Sequence, residues 1–386
     1  MKELTTDDKR IQFVDYLEDR ETKINVIAQS IIDKNKAWEE LGKINKDFGI
    51  AYQLMEGTRK VDINYKTIGL PSKMTIGVEI EAEGKISEIL PEAIGIWKAK
   101  QEDSLQYGIE YVTKEPINDN ESSIYEIYRI NEVLKTVGME TSERCGGHVH
   151  IGADYITAEE GFKELLELWG NAEEVYYLIA NKEGELPREN IPYYAPPISR
   201  EIQRIKTENI PEDEFLVNAQ KIIESRYRGL NIQNINVNNG KNTIEFRVSN
   251  GTLDGNTWIE NIRLYGRTVE IAEKLGLILK KLENEEELSK EEKELYGLKE
   301  RLKQEIPLDE KMDILMEILF DEEERKVYRK RYTANKSLDE KEEIVSNMEF
   351  KKVDFKKIYK SVEIPEGIIE NMQEESRMET EGENSR

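Results

Sequence analysis

Apolar positions change their period twice along the chain. In residues 1–48, Ile11, Val14, Leu17, Ile24, Ile27, Ile31 and Ile32 recur near a 3.6-residue period with charges between them, which predicts an amphipathic helical arm. Gly57, Gly69 and Pro71 break the link over 49–73. From Met74 the period falls to two. Met74–Glu81 alternates, and Ala93–Lys100 and Gln106–Thr113 flank an acidic turn, Gln101-Glu102-Asp103-Ser104, as a hairpin would. A helix is predicted over Ser122–Val137, ended by Gly138. Gly147–Gly152 reads as a strand. Thr157 followed by Glu160 reads as a capping box for a helix to about Ala180.

A Tyr- and Pro-rich loop follows, Asn190-Ile191-Pro192-Tyr193-Tyr194-Ala195-Pro196-Pro197. Helix resumes at Glu212–Glu224. Strands are predicted over Gly229–Asn236 and Asn242–Val248, joined by the turn signal Asn238-Asn239-Gly240. Asn256–Lys281 is a long amphipathic helix. The chain thus divides into a helical arm and link (1–73), a central α+β domain (74–282), an acidic helical region (283–372, helical to about Ile358) and a polar tail (373–386) expected to be disordered.

Residues i and i+2 of a strand share a face. Three strands therefore each present a polar pair: Glu79/Glu81, His148/His150 and Glu245/Arg247. Such groups are costly to bury without a partner, and a metal ion with a phosphate would supply one. Glu102 and Glu110 could reach the same place if the hairpin forms. Several carboxylates with one imidazole suit a hard cation, Mg²⁺ or Mn²⁺. Two histidines and one cysteine are too few for a typical zinc site. Of the histidines, His148 is the expected ligand and His150 the expected contact to nucleotide or substrate. Cys145, beside a Gly-Gly turn, is a weak candidate nucleophile. Arg226, Arg228 and Arg247 stand where they could grip phosphate. Neither a Walker A sequence nor Gly-x-Gly-x-x-Gly occurs, so a bound ATP would rest on metal and arginines.

Composition narrows the partners. With 80 acidic and 56 basic residues the formal net charge is −24, which disfavours nucleic acid and anionic membrane. One cysteine excludes an internal disulfide framework. No secretory signal and no run of 18 apolar residues is visible, so a cytoplasmic setting is expected. The Lys-, Glu-, Ile- and Asn-rich composition hints at a bacterial or viral (phage) genome.

Five segments occur together in order. They are Gly77-Val78-Glu79-Ile80-Glu81; Glu102-Asp103-Ser104-Leu105 with Gly108-Ile109-Glu110; Cys145-Gly146-Gly147-His148-Val149-His150-Ile151-Gly152; Arg226-Tyr227-Arg228-Gly229-Leu230-Asn231; and Thr243-Ile244-Glu245-Phe246-Arg247 with Gly251-Thr252-Leu253-Asp254. Over about residues 74–272 the chain resembles the amidoligase family, within the glutamine synthetase-like carboxylate–amine ligases. The resemblance implies a curled, mostly antiparallel sheet of glutamine synthetase-like type with packed helices, its concave face holding divalent ions and ATP. It implies two metal sets, one of Glu81, Glu102 and Glu110, the other of Glu79, His148 and Glu245. It implies phosphate-binding roles for Arg226, Arg228 and Arg247, with Arg247, Arg226 and His150 nearest the chemistry. Glutamine synthetase-like sites often read Arg-x-Glu-x-Arg, and Thr243 departs from that pattern. Arg200 is a candidate replacement, and Asp103 could replace Glu102.

The activity implied is ATP-dependent joining of a carboxylate to an amine through an acyl phosphate, with peptide or protein side chains among the candidate substrates. Two other readings stay open. One is a metal-dependent amide or phosphate hydrolase on the same cluster. The other is a non-enzymatic assembly protein that uses its helical arms, which could also mediate self-association.

Overall fold

A computed structural model describes residues 63–84, 93–101, 104–105, 107–136, 138–205, 214–236, 241–338 and 348–355. The predicted N-terminal helix, Glu102 and Asp103, the Asn238–Gly240 turn and the C-terminal tail lie outside the described residues.

Period-two alternation in β1 (Ile76–Glu83) puts Ile76, Val78, Ile80 and Ala82 on one buried face and Gly77, Glu79 and Glu81 on the other. Its neighbours are β4 (Gly108–Thr113) and β5 (Gly146–Gly152). Beyond these lie β2 (Ala93–Ile94) and β3 (Trp97–Gln101) on one side, and β7 (Thr243–Asn250) and β6 (Leu230–Asn231) on the other. The seven strands form one antiparallel sheet in the order β2-β3-β4-β1-β5-β7-β6. With its helices it makes a mixed α/β fold, consistent with the α+β expectation.

The chain divides into two compact units. Among the described residues, the first holds those up to Ala153, with Ala180–Pro196 and Tyr227–Gly266. The whole sheet belongs to it, as does α1 (Glu121–Thr136). Asn120 caps α1 by accepting from the Ser123 N–H, and Gly138, at φ 83°, ends it with its N–H on the Lys135 carbonyl. The long helix α6 (Gly255–Glu283) begins in this unit, capped by Asp254, which accepts from the Thr257 hydroxyl at 2.7 Å. Trp258, Ile259, Ile262 and Tyr265 of α6 are buried. Tyr265 stacks on Phe246 at 4.5 Å, so this helix covers the apolar side of β7.

The second unit holds Asp154–Ile179, Pro197–Arg226 and the described residues from Arg267 on. Its centre is α2 (Glu159–Ile179), buried along almost its whole length. Against it lie α4 (Ser199–Ile202), α5 (Phe215–Ile223), α7 (Lys290–Leu302), α8 (Leu308–Leu319) and α9 (Glu322–Lys336). The short α3 (Ile191–Tyr194) belongs to the first unit. A buried ion network joins α2 to α7. Lys299 meets Glu164 at 2.9 Å and pairs with Glu167, and Lys303 meets Glu167 and Glu300, each at 3.1 Å. Glu167, served by both lysines, is held below the ordinary carboxylate range in spite of its burial. Burial and the Glu167 charge push Glu164 up to about 7 against the pull of Lys299.

Several predicted elements differ. Thr157 forms no capping box with Glu160; its N–H and hydroxyl bond the Glu273 carboxylate at 3.0 and 2.5 Å, and α2 starts at Glu159. The strand predicted over Gly229–Asn236 ends at Asn231, whose side chain accepts from the Gln233 N–H and turns the chain. Gly95, at φ 53°, splits Ala93–Lys100 into β2 and β3. The Tyr/Pro loop contains the one-turn helix α3. Residues 348–355 are not helical. They run alongside α2, where Asn171 bonds the Val353 backbone and Glu167 accepts from the Phe355 N–H. No helix among the described residues is long and apolar enough to cross a membrane.

Two stability predictions follow from these polar anchors. Lys299→Met strands Glu164 in the interior, leaves Glu167 with Lys303 alone, and is expected to cost about 3–5 kcal/mol in urea unfolding. Lys290→Met, at a side chain 86% exposed, is expected to cost less than about 0.5 kcal/mol. Equal costs would show that the network contributes nothing special. Asp119 accepts from the Ile68, Gly69 and Leu70 N–H groups at 2.8–3.0 Å. Burial would raise its pKa, but these bonds and the Thr67 hydroxyl hold it below the ordinary value. Its folded pKa thus lies under the unfolded one (~3.9). The stabilisation is present above the unfolded value and is lost as pH falls through the folded one. Asp119→Asn is expected to flatten the acid limb of the stability curve, and an unchanged limb would refute the clamp.

Candidate functional site

Strand register assembles the site within the first unit. Glu81 lies opposite Glu110, Glu79 opposite His148, and His150 between Gly77 and Glu245. All of these are on one face of β4-β1-β5-β7. Two glycines are required by close approach. A Cβ at Gly146 would lie 2.8 Å from His148 Nε2, and one at Gly147 would lie 2.8 Å from the Asn250 carbonyl and 3.0 Å from the Trp258 ring.

The β5–β7 register shifts between Gly147 and Val149, so Arg247 and Val248 together face His148. The bulge reverses the parity of β7. Phe246 and Ser249, three residues apart, both meet Tyr265, the latter through a 2.6 Å hydroxyl contact. The buried Arg188 braces this bulge, donating to the Ser249 carbonyl at 2.5 Å and the Arg247 carbonyl at 3.1 Å.

Four carboxylates result, each at most 7% exposed: Glu79, Glu81, Glu110 and Glu245. Two triplets, Glu79–His148–Glu245 and Glu81–Glu110–His148, bring their candidate ligand atoms within 4.8 Å of one another. His148 Nδ1 is 3.2 Å from Glu79 and 3.9 Å from Glu245, while its Nε2 is 3.8 Å from Glu81. The ring therefore turns one nitrogen to each group. His150 Nδ1 contacts the Thr243 hydroxyl at 3.0 Å, and its Nε2 is 3.1 Å from Glu79.

The remaining partners compensate the negative charge. Glu245 pairs with Arg247 and accepts from Asn231 at 2.6 Å and Asn234 at 3.3 Å. Lys241 pairs with Glu79, Lys100 meets Glu110 at 3.1 Å, and Glu81 accepts from the Gly146 N–H at 2.5 Å. Burial alone would raise Glu79, yet hydrogen bonds and charge from His148 and His150 hold it far below the carboxylate range. Burial and the Glu79 charge push Glu110 up to about 8 against the pull of Lys100. The donor set fits a divalent cation of the Mg²⁺ or Mn²⁺ kind: buried carboxylate oxygens with one imidazole, and too much like charge for a dry pocket.

Other expected residues are placed as follows. Arg247 lies 5.8 Å over the Tyr227 ring, with its Nε 3.4 Å from the Tyr194 carbonyl. Arg228 is half-buried and precedes Gly229, whose carbonyl takes the Arg247 N–H at 2.9 Å. Arg226 is exposed and belongs to the second unit. Arg200, also in the second unit, pairs with Glu349 at 3.6 Å. Cys145 is buried, and burial pushes its thiol up to about 11, which removes it as a nucleophile.

Lys241, Lys100, Asn231, Asn234 and Arg188 went unassigned in the sequence reading. Lys241 left no strand signal, because it stands outside β7 and is separated from Thr243 by Asn242 at φ 46°. Asn231 lies inside a quoted motif and faces Glu245 across the β6–β7 pair. Arg188 left no signal, because it acts on carbonyls of residues 59 and 61 positions away.

These features define an antiparallel-sheet protein with a carboxylate–histidine cluster on one face of the sheet. Residues 92–269 match the family model described as "Putative amidoligase enzyme", a description of a ligase-type enzyme and the family that the sequence motifs resemble. The match includes Glu110, His148, His150, Glu245 and Arg247, and begins after Glu79 and Glu81. A search of curated proteins finds no match.

Glu79→Gln is expected to weaken Mn²⁺ binding, measured calorimetrically, by about 10-fold or more, whereas Cys145→Ala leaves it unchanged. Equal affinity in wild type and the folded Glu79→Gln variant would remove the cluster as a metal centre.

Proposed function

We propose that the protein is an ATP-dependent carboxylate–amine ligase that forms an amide or isopeptide bond through an acyl phosphate. The observation that carries this reading is the convergence of Glu79, Glu81, Glu110, His148 and Glu245 on one sheet face with Arg247 beside them. The family match supports the ligase class.

A carboxylate is a poor acyl donor because its leaving group would be oxide. Phosphorylation converts that oxygen into a good leaving group, which the amine then displaces. Mg²⁺ or Mn²⁺, held by Glu79, His148 and Glu245 and by Glu81, Glu110 and His148, would neutralise charge on the phosphates.

The chain's own residues then have distinct tasks. Arg247, tethered to Glu245 and packed over Tyr227, is preorganised to meet a phosphoryl oxygen without first being ordered. Arg228 is placed nearby through the Gly229–Arg247 backbone bond. His150 positions Glu79. Asn231 and Asn234 fix the Glu245 carboxylate on the side away from Arg247. Tyr194, whose carbonyl accepts from Arg247 and whose ring meets Tyr227 edge-on at 6.0 Å, brings the Tyr/Pro segment beside that arginine. That segment is the proposed cover against water, since acyl phosphates hydrolyse. The substrates are a carboxylate and an amine, with peptide or protein side chains as candidates.

Wild type is expected to bind Mg²⁺-ATP in calorimetry, and a folded Glu79→Gln/Glu245→Gln variant to bind none. With a productive carboxylate, hydroxylamine is expected to trap a hydroxamate with ADP release, and Arg247→Met to lower the rate by about 10²-fold. No nucleotide binding at millimolar ATP would sink the ligase reading. Amide or phosphate ester cleavage without ATP would replace it with a hydrolase.

A further inference from the structure

Lys241 stands out among the cations around the cluster. It precedes β7 by two residues, with Asn242 between them in the left-handed region at φ 46°. The sheet order places β5 between β7 and β1, so the Lys241 side chain crosses β5 to reach Glu79. Lys100 differs: it sits directly opposite Glu110 in the β3–β4 register and pairs with its own cross-strand partner.

The Lys241 ammonium contacts Glu79 Oε1, the same oxygen that lies 3.1 Å from His150 Nε2. The Lys241 side chain is 53% exposed, against 8% for Glu79. Its stem is thus free to swing while its target is fixed. A divalent ion on Glu79, His148 and Glu245 and an ammonium on Glu79 would place like charges side by side. The two occupants therefore oppose each other. A displaced Lys241 stays anchored two residues from Thr243, and its three donors make it a flexible point charge for an anion.

Building on the ligase reading, we infer that Lys241 is an exchangeable cation of the site: it holds Glu79 until a divalent ion displaces it, and then grips the phosphate chain of the bound nucleotide. The role is one of anion binding and metal competition, and it differs from that of Lys100, which is register-paired to Glu110.

The test uses the full chain, with Mn²⁺ and inorganic triphosphate as calorimetric probes on wild type, Lys241→Met and Lys241→Arg. Circular dichroism confirms folding, which an exposed side chain should not disturb. If Lys241 occupies Glu79 for most of the time, its removal raises the fraction of sites open to metal. Lys241→Met is then expected to bind Mn²⁺ about tenfold tighter and, at saturating Mn²⁺, triphosphate about tenfold weaker. Lys241→Arg is expected to restore both towards wild type. The opposite signs matter, since a purely structural lysine would not produce them. Unchanged or weaker Mn²⁺ binding in folded Lys241→Met overturns the exchange. Tighter Mn²⁺ with unchanged triphosphate overturns the anion role. If both arms behave as expected but ATP itself fails to bind, the ligase reading falls and the Lys241 exchange stands.

Discussion

Four carboxylates share the floor of one sheet, nearly out of water, and most of the local structure answers that concentration of charge. Isolated carboxylates in such a setting would take up protons, as Glu110 shows by rising to about 8. Glu79 and Glu245 stay low only because His148, His150 and Arg247 face them. Three of the carboxylates are met by a group from a different strand: Gly146 N–H from β5 on Glu81, Asn231 from β6 on Glu245, Lys100 from β3 on Glu110. The cluster draws on most of the sheet's width, because only Glu245 has a charged partner, Arg247, on its own strand.

Strand β5 is where geometry becomes tight. It is buried on both faces, with histidines on one side and Val149 and Ile151 on the other. Gly146 and Gly147 leave room for His148 Nε2 and for the Trp258 ring, and a methyl group at either position would collide with what it adjoins. The β7 bulge serves a related need. It lets Glu245 and Arg247 stay on the polar face while Ser249 turns towards Tyr265 and Asn261. Arg188 then satisfies carbonyls that the bulge removes from the ladder.

How much of this was legible in the sequence depended on the range of the interaction. The polar pairs Glu79/Glu81, His148/His150 and Glu245/Arg247 were readable because strand parity is local and alternation forces a shared face. The helices at 121–136 and 255–283 were readable from periodicity, the first also from Gly138 as its end signal. Thr157 misled because a capping box is a local pattern, and a remote carboxylate, Glu273, competed for the same donors. Asn231 ended a strand that composition would have continued, since its side chain offers the backbone a turn. Arg200 was put forward for a role that only tertiary placement can assign, and it pairs with Glu349.

The chain's net charge of −24 and its proposed anionic nucleotide are reconciled only at the site. A strongly acidic protein repels free anions, and Lys100, Lys241 and Arg247 at the floor are already committed to Glu110, Glu79 and Glu245. An anion can approach such a floor only together with further cations. Under the ligase reading this imposes an order: the divalent ion arrives before the phosphates or bound to them, never after. The lysines make the metal-free floor tolerable, and Arg247, fixed by Glu245 and Tyr227, is the cation that need not move. The division between a fixed guanidinium at Arg247 and an exposed ammonium at Lys241 follows from their chemistry, since a planar fork holds geometry and a flexible stem can give it up.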